Sequence, residues 1–197
     1  TLSDSHRGIW VFAEQRDGIF KNVDFELLSK GRELADTLKT ELSAVCLGHN
    51  MNDIDRLLDY GTDKVYLVDN PALATNQEDF YVSELIRLIR EHKPEIFLAG
   101  ATSLGRSLIP RVAAILRTGM SADCTGLDID MAKRELLQTK PAFGGNILAI
   151  ITCPESRPQI ASVRPRVFKA TPGSNRGGRI IKVDFQKEAV SSRTKLL

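Results

Sequence analysis

A strand-like run, 95-EIFLAG-100, leads into 100-GATSLGRSLIPRVAAILRTG-119, where glycines and hydroxyls give way to an amphipathic helix. Backbone N–H groups at a helix start attract anions, and glycine lets a phosphate come close to the chain. The stretch therefore has the outline of a phosphate cradle. Its chemistry is incomplete. The order GxxxxGK followed by Ser or Thr is missing, no lysine sits in the loop, and GxGxxG is also missing. Pro110 is tolerated in the first turn of a helix. The regular helix is thus expected either near Leu108, leaving Thr102 to Arg106 as a loop, or earlier with a kink. A bound nucleotide and a vacant loop both remain open on these residues.

Two later stretches also have chemical potential. In 139-TKPAFGGN-146 a proline fixes the chain, and an aromatic ring and two glycines allow tight contact. In 159-QIASVRPRVF-168 two arginines flank Pro165 in a strand-like run. Burying them unpaired is too costly. One of Arg164 and Arg166 is therefore expected to face a carboxylate, a phosphate or a polarisable ligand, unless the stretch is a surface strand with solvated arginines. The remaining candidates are weaker. His6, His49 and His92 show no pairing, and His92 ends a helix, where positive charge suits the dipole. Asp53 and Asp55 suit a helix start. No serine has a GxSxG setting, and no HExxH or DxDxDG spacing appears. Cys46, Cys124 and Cys153 are far apart and lack a CxxC, so they read as buried reduced thiols of a cytoplasmic protein.

The elements that must position these residues follow a simple grammar. Strand-like 8-GIWVFA-13, 44-AVCLG-48, 64-KVYLVD-69 and 96-IFLAGA-101 alternate with helical patterns. The first helix, 24–39, places Leu27, Leu34, Ala35 and Leu38 on one face. A short one, 52–61, opens at the capping residue Asn52 and stops at Gly61. The third, 78–93, carries Val82, Leu85, Ile86 and Ile89 inward and ends before Pro94. The last turns Leu108, Val112, Ile115 and Leu116 inward. Four rounds of strand then helix predict a three-layer α/β fold around a mostly parallel sheet. After residue 120 the pattern changes. Residues 126–145 read as a hairpin with a charged turn at Ala132 to Glu135. Further strands follow at 147–153, 159–168 and 180–185, some of them expected to join the sheet antiparallel.

With 197 residues, 42% apolar, the chain can bury one sizeable core. No apolar run approaches the ~18 residues of a membrane span, and Thr1 to Arg7 is a polar tail rather than a signal peptide. Net charge is +2, but residues 157–197 hold ten Lys and Arg against Asp184 and Glu188, leaving −6 for the first 156. Such a basic end fits an anionic partner, a phosphate-bearing ligand or a solvated edge.

Taken together, 100-GATSLGRSLIPRVAAILRTGMSADCTGLDID-130, 139-TKPAFGGN-146 and 159-QIASVRPRVF-168 resemble the first domain of the alpha subunit of electron transfer flavoprotein. The opening 9-IWVFAE-14 is similar to the family's first strand, and the resemblance covers roughly residues 8 to 190. It implies an adenine-nucleotide-hydrolase-like fold over 8–185 and a heterodimer with a related beta subunit. FAD is then held in the full complex and none by this chain alone. The family's C-terminal FAD domain has no counterpart here, and 186–197 is expected to open a linker to it. The resemblance further implies electrons taken from a flavoprotein dehydrogenase, such as an acyl-CoA dehydrogenase, by a carrier rather than an enzyme. In related beta subunits the matching cradle binds AMP or a second FAD. In the alpha subunit it is expected to be a vestigial phosphate loop, with Thr102 and Arg106 as its candidate binding residues. Arg164 matches the arginine of the family's VRP strand, which in electron-bifurcating members lies against the beta-subunit flavin. Two positions depart from the family: Lys140 stands where arginine is usual, and Arg166 where a small residue is usual. The rival readings are a stand-alone ATP-using enzyme of this fold class and a nucleotide or nucleic-acid module. The first lacks an SGGxDS-like loop at 14-EQRDGIFKN-22; the second has few aromatics among its basic residues.

Overall fold

The computed structural model describes residues 5–75, 77–142, 144, 147–173 and 176–186. The expected linker at 186–197 lies outside them from residue 187 onward, as do Phe143, Gly145 and Asn146 of the PAFGGN stretch.

The chain opens on β1 (Ile9–Ala13), buried throughout. Its side chains alternate between two cores. Ile9, Val11 and Ala13 enter one, while Trp10 and Phe12 enter the other. That is the period-two geometry of a strand covered on both faces. A small hairpin, β2 (Gln15–Arg16) and β3 (Ile19–Phe20), leads to helix α1 (Asn22–Leu38). In α1, Leu27, Leu34, Ala35 and Leu38 are all buried. Next come β4 (Leu42–Gly48), a 3-10 helix (Ile54–Tyr60), β5 (Lys64–Asp69) and α2 (Glu78–His92). Strand β6 (Ile96–Gly100) then feeds α3 (Ser103–Leu116). The short segment after β4 departs from expectation. It is a 3-10 helix capped at Asp53, which is left-handed at φ 55°, and Asn52 does not cap it. Gly61 ends it as anticipated, at φ 76°.

The later part contains β7 (Met120–Cys124), β8 (Gly126–Asp130), β9 (Glu135–Ala142), β10 (Ile147–Ile151), β11 (Gln159–Val163) and β12 (Arg179–Lys182). The main sheet has the order β12-β5-β4-β1-β6-β11-β7. Every pairing within it is parallel. The expected antiparallel additions do not join this sheet. Strands β8, β9 and β10 instead form a separate three-stranded antiparallel sheet. The difference has a cause in β11. Its QIASV carries no charge, so it is buried on both faces and sits between β6 and β7. The strand also ends earlier than 159–168 suggests. Pro165 has no N–H for the ladder, and Arg166 is left-handed at φ 67°, so a turn follows Val163.

Helix α3 begins at Ser103 and runs through Pro110, taking the earlier of its two expected starts. Leu108 and Val112 are buried and Leu116 packs on the core, but Ile115 is 49% exposed. His92 also departs from expectation. Its ring lies 4.5 Å from Tyr66 and 5.5 Å from Trp10, centroid to centroid. Burial against these rings moves its pKa below the usual imidazole value, so the neutral form is favoured at the helix end.

Candidate functional site

In an open α/β sheet, ligands lie at the carboxyl ends of the strands where the order reverses. Here β1 is that point, with β4 on one side and β6 on the other. A cleft of about 360 Å³ opens there, lined by Glu14, Arg16, Lys21, Thr102, Ser103 and Leu104. Thr102 is the N-cap of α3, and its hydroxyl accepts the Gly105 N–H at 3.0 Å. Gly105 is forced by packing, because a Cβ there would meet the Gly100 carbonyl oxygen at 1.9 Å. The helix start and the strand end are thus pressed together as in a phosphate cradle.

The cradle is filled from within. The Thr102 hydroxyl donates to the carboxylate of Glu14, the residue that follows β1. Glu14 is buried, so its charge stands at the helix start where an incoming phosphate would stand. The loop after β1 is no glycine-rich wrap either. Asp17 and Gly18, both with positive φ, make the tight turn of the β2–β3 hairpin. Asp24 lies behind this corner, fully buried, with Oδ2 accepting the Lys21 N–H at 2.9 Å and Oδ1 making no hydrogen bond of good geometry among the described residues. Burial raises its pKa well above the usual carboxylate value; N–H groups of Glu14 and Lys21 oppose that rise, and the charge of Glu14 adds to it.

Arg106 is not part of this corner. It turns toward β7, donating to the Ala101 carbonyl at 3.0 Å and pairing with Asp123 at 2.9 Å. The structure therefore separates the two cradle residues, Thr102 facing β1 and Arg106 facing β7.

A second cluster forms at the carboxyl ends of β11 and β7. The Arg164 N–H donates to the Cys124 carbonyl at 3.1 Å, and the Thr125 N–H to the Thr139 carbonyl at 2.8 Å. Burial raises the Cys124 thiol pKa, and the charge of half-buried Lys140 partly opposes this. So the stretches around Lys140 and Arg164 meet at Cys124. The guanidinium of Arg164 is exposed and has no partner among the described residues. Arg166 is exposed too, so neither arginine is buried, and among the described residues neither guanidinium meets a carboxylate. The carboxylate of this turn is Glu26 of α1, and it binds the Arg166 backbone N–H. Strand β10, which sets Ala149 opposite Lys140 of β9, forms an edge of the antiparallel sheet, with Ile147, Leu148 and Ile150 exposed by 53%, 66% and 65%.

Glu14 and Glu26 were not candidates on sequence grounds. A lone acid after a strand or on a helix reads as solvated, and only tertiary packing shows either one buried. Among the described residues no cluster of His, Cys, Asp and Glu could hold a metal ion, and no helix is long and apolar enough to cross a membrane.

Residues 9–188 match the family model described as the electron transfer flavoprotein domain. The chain is 49% identical over 195 residues to the electron transfer flavoprotein subunit alpha of Clostridium acetobutylicum, covering 97% of this chain and 58% of that protein. It is 46% identical to the protein of the same name from Thermoanaerobacterium thermosaccharolyticum, covering 98% of this chain and 59% of that one. It is 44% identical to the acryloyl-CoA reductase electron transfer subunit beta of Anaerotignum propionicum, covering 84% of this chain and 52% of that one. The chain thus spans less than two thirds of the length of these relatives.

Proposed function

Because this chain belongs to the electron transfer flavoprotein family, we propose that residues 8–185 are the scaffold domain of an alpha-type subunit in a heterodimeric FAD electron carrier. The carrier takes electrons from a flavoprotein dehydrogenase, of which acyl-CoA dehydrogenases are one kind, and passes them on in the cytoplasm. It performs no substrate chemistry of its own. A related beta-type subunit is the partner.

One observation carries this reading: the exposed guanidinium of Arg164 has no partner among the described residues, and the edge strand β10 exposes Ile147, Leu148 and Ile150. A surface of that kind supports partner docking, and an unpaired guanidinium suits an anionic or polarisable group brought by the partner. The chain's own cradle fits a phosphate poorly, because the Glu14 carboxylate occupies the helix start. A flavin, when bound in the complex, supplies the redox chemistry. This chain supplies position and a positive charge at Arg164, which favours a reduced, anionic ring. Thr102 and Arg106 have structural duties, capping α3 and fastening β7.

Co-expression with the partner subunit should give a yellow complex with flavin absorbance. Arg164→Ala should lower the potential of a flavin in that complex. The reading fails if the isolated chain purifies with tightly bound flavin, hydrolyses ATP, or if no complex forms. The rival ATP-using enzyme finds no support in the corner after β1, which is a hairpin in place of a phosphate-wrapping loop.

A further inference from the structure

Resting on the assignment of Arg164 as the residue facing a partner-held flavin, we propose that Glu26 is the positioning residue that aims it. Glu26 sits in the second turn of α1 and is 7% exposed. Its two carboxylate oxygens accept the backbone N–H of Arg166 at 3.1 and 2.8 Å. That N–H belongs to a residue at φ 67°, a left-handed conformation that non-glycine residues adopt reluctantly. A charged acceptor on a backbone N–H is a strong hydrogen bond and can hold such a conformation in place.

The turn after β11 is fastened at both ends. The Arg164 N–H is tied to the Cys124 carbonyl at 3.1 Å, and two residues later the Arg166 N–H is tied to Glu26. Pro165 between them has a fixed φ. Beyond the turn, Val167 and Phe168 pack against the core. The direction of the Arg164 side chain is therefore set by two anchors on either side of a rigid residue. Glu26 also grips backbone in preference to a guanidinium. It fixes the turn without neutralising Arg164, which an ion pair would do.

The test uses the co-expressed complex and reads the flavin reduction potential, together with hydrogen exchange of the Arg166 amide in this chain. Arg164→Ala should cut the preference for the reduced flavin about tenfold, about 30 mV for a two-electron couple. Glu26→Ala should lower the potential in the same direction, though it removes no positive charge, and should speed exchange at Arg166. Glu26→Leu keeps the helix and the buried volume, and serves if the alanine variant does not fold. Glu26→Gln retains one acceptor oxygen and should restore most of the potential. Arg166→Ala keeps the amide and should be silent. If Arg164→Ala shifts the potential while the Glu26 variants stay at the wild-type value, positioning by Glu26 is overturned and the role of Arg164 stands. A Gln variant that behaves like Leu also overturns it. If Arg164→Ala itself is silent, the underlying reading falls and this inference falls with it.

Discussion

Three acids cluster around the start of α1, and each is held by a hydroxyl or a backbone N–H: Glu14 by Thr102, Asp24 by Lys21 and Glu26 by Arg166. Asp24 bears the heaviest burial, and its raised pKa has a consequence for stability. Between the unfolded carboxyl value and the raised native one, the native state binds more protons than the unfolded state. Stability then falls as pH rises through that window, and the contribution is level below it, where both states are protonated. Asp24→Asn keeps an acceptor for the Lys21 N–H and has no charge to desolvate. It should raise the melting temperature at neutral pH and change little in acid, as measured by thermal unfolding across a pH series. An equal effect at both ends would show that burial of charge is not the cause. None of the three acids could be recognised beforehand. Asp24 reads as an ordinary first-turn acid, and its full burial appears only when neighbouring strands and loops close over it.

At the scale of elements, close approach decides more than propensity does. Helix α3 starts at Ser103 because Gly105 lies flush against the end of β6, and Pro110 further along does not displace that start. Gly105→Ala forces a Cβ onto backbone that has no rotamer to move, so we expect a loss of about 3 kcal/mol in chemical denaturation. A neutral result would mean the helix can slide. The antiparallel sheet behaves differently. Its hairpin turn is locked at the base of the fold by Arg134, whose guanidinium grips the fully buried Glu95 at 2.8 Å and 3.1 Å. Removing Arg134 strands a buried carboxylate, so Arg134→Met should cost about 3–5 kcal/mol in the same assay. Its far edge, β10, carries exposed apolar side chains. Ile150→Lys should leave the melting temperature of the chain within a degree or so, since a surface change away from packing is worth about 0.5 kcal/mol or less. The same change should abolish co-purification of the partner subunit. Retained co-purification would remove β10 from the partner face. The hairpin itself was legible from alternation around a charged turn; its separation from the main sheet was not, because strand pairing is a long-range choice.

At the scale of the whole molecule, the cradle at the start of α3 is the feature most open to direct test. Equilibrium dialysis of the isolated chain with AMP and with FAD should show no stoichiometric uptake, because the Glu14 carboxylate, taking the Thr102 hydroxyl at the helix start, sets a negative charge there against a phosphate. Saturable one-to-one binding would contradict that. The three-layer architecture was determined by the sequence alone. Apolar runs such as 64-KVYLVD-69 and helical faces such as Val82, Leu85, Ile86 and Ile89 can be buried in only one way, and the structure buries them so. The motifs 100–130, 139–146 and 159–168 likewise pointed to the family that the comparisons show. What only the tertiary structure decided is where charge goes. It set the Glu14 carboxylate into the cradle, sent Arg106 to Asp123, gave the Arg166 amide to Glu26 and left the Arg164 guanidinium without a partner among the described residues. Burial of apolar side chains is local and periodic, so a sequence displays it. The partner of a charged or polar group depends on which distant segments meet, and only the folded chain brings them together.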